Sequence, residues 1–258
     1  MSSINPASAP IALITGASRG LGRNSALHLA RAGYDLILTY NSRADEAEAA
    51  VAEIRALGRK AQALQLDVSQ SASFDAFAAR VREVLQAHWG ASAFQALVNN
   101  AGIGLRAAIQ DTTEAQFDQL VAIHLKGPFF LTQKLLPLLA DGGRIVNLSS
   151  GLTRFALPGM AAYASMKGGV EVLTRYLAKE LGPRRISVNC LAPGAIETDF
   201  GGGAVRDNPG MNQAIAGQTA LGRVGLPDDV GGALAALLGP GTGWINAQRI
   251  EVSGGMCL

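Results

Sequence analysis

The chain has 258 residues, 48% of them apolar and 16% charged with few aromatics, the balance of a soluble globular protein long enough for one larger domain or two small ones. Its formal net charge is only +2, and no stretch concentrates Lys or Arg, so nucleic acid and anionic membranes are not expected partners. Its 31 glycines imply many tight turns or close backbone contacts, as in loops that hold ligands.

Residues 1–10 are polar without a basic stretch, and the apolar run at 11–14 is too short for a signal peptide or a membrane span. A cytoplasmic location is therefore expected. Cys190 and Cys257 fit reduced thiols there and form neither a metal spacing nor a disulfide framework, so no metal is expected. In chain order, 11–15 reads as a strand, 21–32 as a helix, 35–40 as a strand, 45–57 as an Ala- and Glu-rich helix and 61–66 as a strand. Residues 71–88 read as a helix with Phe74, Phe77, Val81, Val84 and Leu85 on one face, and 96–99 as a strand. A long helical pattern at 114–139 is interrupted at Gly127-Pro128. Then follow a strand at 144–148, a helix at 162–181, a strand at 186–191, a helix at 227–238 and a last strand at 248–252. Strict β-α alternation with uniformly apolar strands predicts a parallel sheet covered on both faces. Right-handed crossovers make it a three-layer, doubly wound Rossmann sheet of about seven strands in one domain over 1–258. The irregular stretch 198–219, with Gly201-Gly202-Gly203 and Asn208-Pro209-Gly210, is either disordered or a mobile lid over a site.

The first strand runs into Thr15-Gly16-Ala17-Ser18-Arg19-Gly20-Leu21-Gly22, and a helix begins at once. Glycines let the backbone approach a pyrophosphate, and the helix N-terminus offers it free N–H groups and the positive end of the dipole. Ligand-holding positions are therefore Gly16, Ser18, Arg19, Gly20, Leu21 and Gly22. NAD binders usually place a carboxylate after the second strand, whereas here the stretch is Tyr40-Asn41-Ser42-Arg43. The missing carboxylate removes repulsion against a 2′-phosphate, Asn41 and Ser42 can donate to one, and Arg19 and Arg43 can supply charge. NADP(H) is favoured, and NAD(H) stays open. Asp67-Val68 after the third strand can either meet the adenine or cap the helix starting near Ser71. Asn99, Ala101 and Gly102 close the fourth strand with small residues and an amide suited to close ribose contact.

Tyr163 and Lys167 are four apart, which places them on one helix face. A nearby ammonium stabilises a phenolate and so lowers a phenol pKa that is otherwise about 10. Ser150 follows the fifth strand at the carboxyl edge, where its hydroxyl could donate to a substrate oxygen gaining negative charge.

With Thr15 to Gly22, Asn99 to Gly102, Ser150, Tyr163 thirteen residues later, Lys167, and Pro193-Gly194 with Thr198, essentially the whole chain resembles the short-chain dehydrogenase/reductase family. The overall look is similar to its 3-oxoacyl-carrier-protein reductases. The resemblance implies hydride transfer between a nicotinamide dinucleotide and a small-molecule carbonyl or secondary alcohol. Tyr163 is then the proton donor in reduction, Ser150 orients the oxygen, and Lys167 holds the nicotinamide ribose and lowers the phenol pKa. Pro193, Gly194, Ile196 and Thr198 line the nicotinamide. The choice of Ser150 over Ser149 rests on family spacing. Members commonly form tetramers through the long helix and the Tyr-Lys helix, so a homotetramer or homodimer is implied.

One position departs from the family. His124 stands where a catalytic Asn is expected before a Leu-x-Gly stretch. Three readings stay open: a substitute in a proton relay, able to bind water or titrate near neutral pH; a tolerated change with slower turnover; or a dinucleotide-binding regulatory protein without efficient catalysis. Leu152, Phe155, Leu157 and Met160 suggest a moderately apolar substrate, and Arg106 and Arg154 are candidates for an anionic group. Asp141 puts an acid where carrier-binding relatives tend to be basic, which lowers, without excluding, an acyl-carrier substrate; sugar, steroid and small-ketone reductases of the family stay open.

Overall fold

The computed structural model describes residues 9–258; residues 1–8, most of the polar N-terminal segment, lie outside the described residues. Seven strands form one parallel sheet: β1 (Ile11–Ile14), β2 (Asp35–Tyr40), β3 (Ala61–Gln65), β4 (Phe94–Asn99), β5 (Leu139–Leu148), β6 (Ser187–Pro193) and β7 (Arg249–Val252). Their order is β3-β2-β1-β4-β5-β6-β7, the doubly wound arrangement expected from the alternation. The chain winds outward from β1 to β3, then returns to β4 and winds the other way. The crevice beyond the carboxyl ends of β1 and β4 is thus the topological switch point, where such sheets bind ligands.

Both faces of the sheet are buried, and β1 shows why. Ile11 and Leu13 pack into one core with Phe74, Phe77, Val81, Leu131 and Leu135, whereas Ala12 and Ile14 pack into the other with Leu29, Ile54, Val230 and Leu234. The first core lies under helices α3 (Phe74–Trp89), α5 (Gly127–Leu135) and α6 (Ala161–Glu180). The second lies under α1 (Gly20–Arg31), α2 (Ala44–Ala56) and α9 (Pro227–Leu238). Each fully buried Leu or Ile stabilises the fold by about 1.5–3 kcal/mol, which is why continuous apolar strands specify a two-sided sheet.

Four stretches differ from the sequence expectation. The helix expected from residue 71 opens with a single tight turn, Ser71–Ser73, before α3. The pattern at 114–139 is α4 (Glu114–Val121), one wide π-turn (Ala122–Lys126), then α5, which passes into a last tight turn, Leu136–Leu138. Pro128 has no N–H to give to the carbonyl of residue 124, so the ladder widens just before it, and His124 falls inside the widened turn. Strand β5 starts at Leu139, five residues early, because Leu139 already pairs with Phe94; the register then shifts through Gly142, at φ +76°. Finally, 198–219 is ordered, as a turn at Phe200–Gly203 and helices α7 (Ala204–Asp207) and α8 (Pro209–Gly217). Gly201, Gly202 and Gly203 all hold left-handed φ, which hides any periodic signal there, and Asn208 caps α8 by accepting from the Met211 N–H.

Candidate active site

The glycine-rich loop between β1 and α1 is fixed from beneath. Thr15 Oγ1 accepts from the N–H groups of Asn100 and Ala101, both at 3.0 Å. The Asn100 amide donates to the carbonyls of Thr15 at 2.8 Å and Gly16 at 3.1 Å. A Cβ on Gly22 would lie 2.2 Å from the Gly16 oxygen, and one on Gly16 2.9 Å from Ala101 Cα, so neither position admits a side chain. Thr15 and Asn100 were not singled out as site residues from sequence; the signal was a hydroxyl directly before the first glycine and a tandem Asn at the next strand end. Helix α1 has no side-chain cap and no acid in its first turn, unlike α4, which is closed by a Thr113–Gln116 capping box. Its first N–H groups therefore lack a side-chain acceptor and suit an anion. Ser18, Arg19, Gly20 and Leu21 stand at this opening, and a pyrophosphate fits it.

At the end of β2, Asn41, Ser42 and Arg43 are exposed and Tyr40 half-buried, with no carboxylate among them. Arg43 is less available than expected, because it pairs with Asp45 at 3.4 Å and Glu46 at 2.9 Å. Arg19 is exposed and makes no ion pair among the described residues. Asp67 does not cap the following helix: its Oδ1 accepts from Ser69 N–H and Oγ, closing the turn after β3. The Val68 carbonyl sits where a Cβ on Gly127 would come within 2.6 Å. The Asn99 amide turns inward rather than to the crevice, donating to Thr132 Oγ1 and Asn147 Oδ1 in a buried chain that continues to Thr174. Ala101 and Gly102 do lie at the carboxyl edge. On the far side Pro193 ends β6, and the Gly194 N–H donates to the Val252 carbonyl. Ile196 bridges to Gly225, and Thr198 Oγ1 accepts from the Phe200 N–H.

Ser150, Tyr163, Lys167 and His124 converge between these two sides. Ser150 directly follows β5, and its Oγ accepts from the Leu152 N–H at 3.2 Å. Its hydroxyl hydrogen is left for another acceptor. Ser149 is the structural neighbour expected, its Oγ donating to Glu171 Oε1 at 2.7 Å. Tyr163 and Lys167 share the inner face of α6 and are both buried. The ammonium stands 5.6 Å from the Tyr163 ring centre and donates to the Leu148 carbonyl at 2.8 Å. Burial pushes the Lys167 pKa down to about 8, with the nearby Cys190 opposing.

The phenol differs from expectation. Burial raises the Tyr163 pKa, and the adjacent Ser150 hydroxyl only partly offsets it. Lys167 does not lower it in the chain by itself, because desolvation of the phenolate outweighs a cation directed at a carbonyl. Tyr163 is thus held as the neutral acid.

His124 is 1% exposed and packs edge-on against Tyr163 with ring centres 5.2 Å apart. Its Nε2 lies 2.9 Å from the Ile103 carbonyl and 3.3 Å from the Ile103 N–H; the shorter contact makes it the donor. Nδ1 is then a buried acceptor without a hydrogen-bond partner among the described residues. Burial first, and the Lys167 charge second, push the pKa down to about 3, so the ring does not titrate near neutral pH as one sequence reading allowed.

Leu152 and Met160 pack with Tyr163, and Phe200 leans on its ring at 5.8 Å, filling the space left by the missing side chain of Gly104. Leu157 is exposed, and Phe155 lies under Gly151. Arg154 is not free for an anion: it pairs with Glu251. Arg106 is exposed and runs along Gly159. Asp141 is paired with Arg184 at 2.7 Å. Among the described residues no group of three His, Cys, Asp or Glu could hold a metal ion, and no helix is long and apolar enough to cross a membrane.

The family model described as enoyl-(acyl carrier protein) reductase matches residues 16–257. The chain is 37% identical over 247 residues to the 3-oxoacyl-[acyl-carrier-protein] reductase FabG of Staphylococcus aureus, covering 95% of this chain and 97% of that protein. It is similar to the solved structure of LugOII, a promiscuous reductase that catalyses keto-reduction at C1 during lugdunomycin biosynthesis, with a TM-score of 0.91 and 36% identity over 96% of this chain and 98% of that one. The angucycline C-6 ketoreductase LanV with bound NADP superimposes with a TM-score of 0.91 at 34% identity, over 96% of this chain and 95% of that one. With a tyrosine–lysine pair and a serine over a dinucleotide cradle, the chain belongs to the short-chain dehydrogenase/reductase family and is a ketoreductase-type oxidoreductase acting on carbonyl and alcohol groups.

Proposed function

We propose that the chain reduces an apolar ketone with NADPH. The convergence of Ser150, Tyr163 and Lys167 beside the cradle at the switch point carries this reading. When bound, NADPH supplies the hydride. Ser150 donates its hydroxyl hydrogen to the carbonyl oxygen and stabilises the charge that develops there. Tyr163, kept neutral by burial, gives that oxygen its proton. Lys167 keeps one N–H on the Leu148 carbonyl and has two left for the cofactor ribose and for returning a proton to the phenol. His124 serves as a neutral group: it ties Ile103 to the π-turn and offers Nδ1 as an acceptor for a relayed water. Residues 198–219 act as the lid, with Phe200 over Tyr163. The apolar surroundings favour a hydrophobic ketone, and the ketoreductases LugOII and LanV support that class. A carrier-bound acyl chain is less favoured, because Asp141 presents an acid even while paired with Arg184. The rival reading, a regulatory dinucleotide binder, would show tight NADPH binding with no turnover on any ketone or 3-oxoacyl thioester.

NADPH is preferred because no carboxylate directly follows β2, where Asn41 and Ser42 are exposed, and the exposed Arg19 makes no ion pair among the described residues; the NADP-bound relative supports it. Arg19→Ala should weaken NADPH binding roughly 10- to 100-fold, the loss of one charge-assisted contact, and leave NADH within about twofold. Titration by nicotinamide fluorescence checks this, and an equal loss for both cofactors would count against a 2′-phosphate site.

A homodimer or homotetramer is the assembly we favour. Phe129 and Phe130 on α5 and Val172 and Tyr176 on α6 remain exposed after the sheet is covered, Tyr176 at 64%. Tyr176→Glu should lower the sedimenting mass; a wild-type chain already monomeric at micromolar concentration would contradict the assembly.

A further inference from the structure

Behind Ser150 lies a ladder of alternating charge that the reaction scheme does not use. Glu171 is one helical turn beyond Lys167, on the same face of α6. Its Oε1 accepts from Ser149 Oγ at 2.7 Å, Thr153 Oγ1 at 2.6 Å and Arg249 Nε at 2.7 Å. Arg249, on β7, also donates from Nη2 to the Ser150 carbonyl at 3.2 Å and from Nη1 to Glu251 Oε2 at 3.1 Å. Glu251 in turn takes Arg154 in a two-point contact, Nε at 2.9 Å and Nη2 at 3.0 Å. Arg154 closes the series on the carbonyls of Met256 and Cys257. The side chains of Glu171, Arg249 and Glu251 are 15%, 23% and 23% exposed.

Partly burying two acids and two arginines is costly, and apolar residues would serve stability at least as well. What the ladder supplies is geometry. It grips residues 149–154, the turn leaving β5, from α6, from β7 and from the C-terminal segment together. Among the described residues the Ser150 hydroxyl is tied to the backbone at one point, the Leu152 N–H at 3.2 Å, so its placement depends on that turn. A misplacement of about 1 Å at a reacting centre can cost two orders of magnitude in rate.

We propose that Glu171, Arg249, Glu251 and Arg154 form a positioning ladder that holds the Ser150 hydroxyl on the substrate oxygen. Glu171 and Arg249 are positioning residues that act through Ser150, and the inference rests on the reading that Ser150 donates to that oxygen. The glycine-rich loop after β1 and the end of β2 lie apart from the ladder, whereas on the nicotinamide side Pro193 pairs with Val252, next to Glu251.

The test combines Arg249→Met and Glu171→Gln, each alone and with Ser150→Ala, in the full chain. Each single variant should lower kcat about 10- to 100-fold with NADPH affinity within about twofold. On the Ser150→Ala background the same changes should cost less than about threefold, because the group they position is gone. Arg249→Lys should restore part of the loss. The groups facing the Tyr163 phenol are Ser150 from the end of β5, Lys167 from α6 and His124 from the π-turn. Withdrawing Ser150 should therefore move the alkaline rise of alcohol oxidation to higher pH in Arg249→Met, as in Ser150→Ala. If Arg249→Met does not fold, the outer rung Arg154→Gln is read in the same way. Losses that simply multiply with Ser150→Ala, or an unshifted pH profile, would overturn the ladder while leaving the serine's role intact. Full turnover by Ser150→Ala would overturn both.

Discussion

Tyr163→Phe will lower ketone reduction about 10²- to 10⁴-fold and leave NADPH affinity within about twofold, the range for removing one positioned proton donor. The phenol is the acid on which the site's other groups converge; among the described residues no Asp or Glu packs against its ring, and Ser150 is a far weaker acid. The ring is retained in the variant, so its packing against His124 and Phe200 survives and the loss reports chemistry rather than collapse. Stopped-flow measurement of NADPH oxidation checks it, and a loss under tenfold would show that another group delivers the proton. The wild-type pH profile follows from the same burial. Reduction needs a protonated phenol and a charged Lys167. The phenol stays protonated beyond its ordinary range, whereas the ammonium titrates at about 8. Turnover should therefore be level near pH 6–7 and fall as pH rises through about 8. His124, pushed to about 3, is neutral across that range, so His124→Asn should leave the midpoint in place. A shifted midpoint would instead make the imidazole a titrating member of the relay.

The sheet was readable because the inner strands are largely buried on both faces, so short apolar runs separated by amphipathic helices admit few other arrangements. Boundaries were lost where a local device overrides periodicity. The early start of β5 depends on a register shift at Gly142, and the π-turn depends on Pro128, four residues after His124. The positions of Ser150, Tyr163 and Lys167 came from spacing, but their electrostatics did not. Spacing shows that an ammonium shares a helix face with a phenol. It does not show that the ammonium reaches the Leu148 carbonyl or that the phenol is desolvated. Asn99 and Arg154 illustrate the converse. An amide at a strand end and an arginine near a pocket look available in sequence, and only the fold shows the Thr132 and Glu251 partners that occupy them. Those partners lie 33 and 97 residues away, beyond any local pattern.

Lys167→Met should abolish useful turnover and at the same time stabilise the protein. Among the described residues the ammonium is buried without a carboxylate partner, and its single protein acceptor there is the Leu148 carbonyl. Burial lowers its pKa from 10.5 to about 8, so charging it in the folded state costs roughly 3 kcal/mol at neutral pH, at about 1.4 kcal/mol per pKa unit. Methionine has similar reach and no charge to desolvate, and losing the hydrogen bond to Leu148 returns about 1 kcal/mol of that gain. A net gain of about 1–2 kcal/mol corresponds to a Tm higher by roughly 2–8 °C for a domain of this size. The linkage has a definite sign. Because the folded pKa lies below the unfolded one, the unfolded chain binds more protons between pH 8 and 10.5. The penalty is complete below about 8 and is lost as pH rises toward 10.5, so this residue makes wild-type stability rise across that window. The variant should lack that rise, and its advantage over wild type should shrink with increasing pH. Denaturant titrations at pH 7 and pH 10 on both proteins check the two statements together. A variant less stable at pH 7 would mean that the lysine's hydrogen bonding outweighs its desolvation, and the residue would then serve the fold as well as the reaction. A stabilised, inactive variant would show that the site holds a charge the fold would shed, kept for what it does to the phenol and the cofactor ribose.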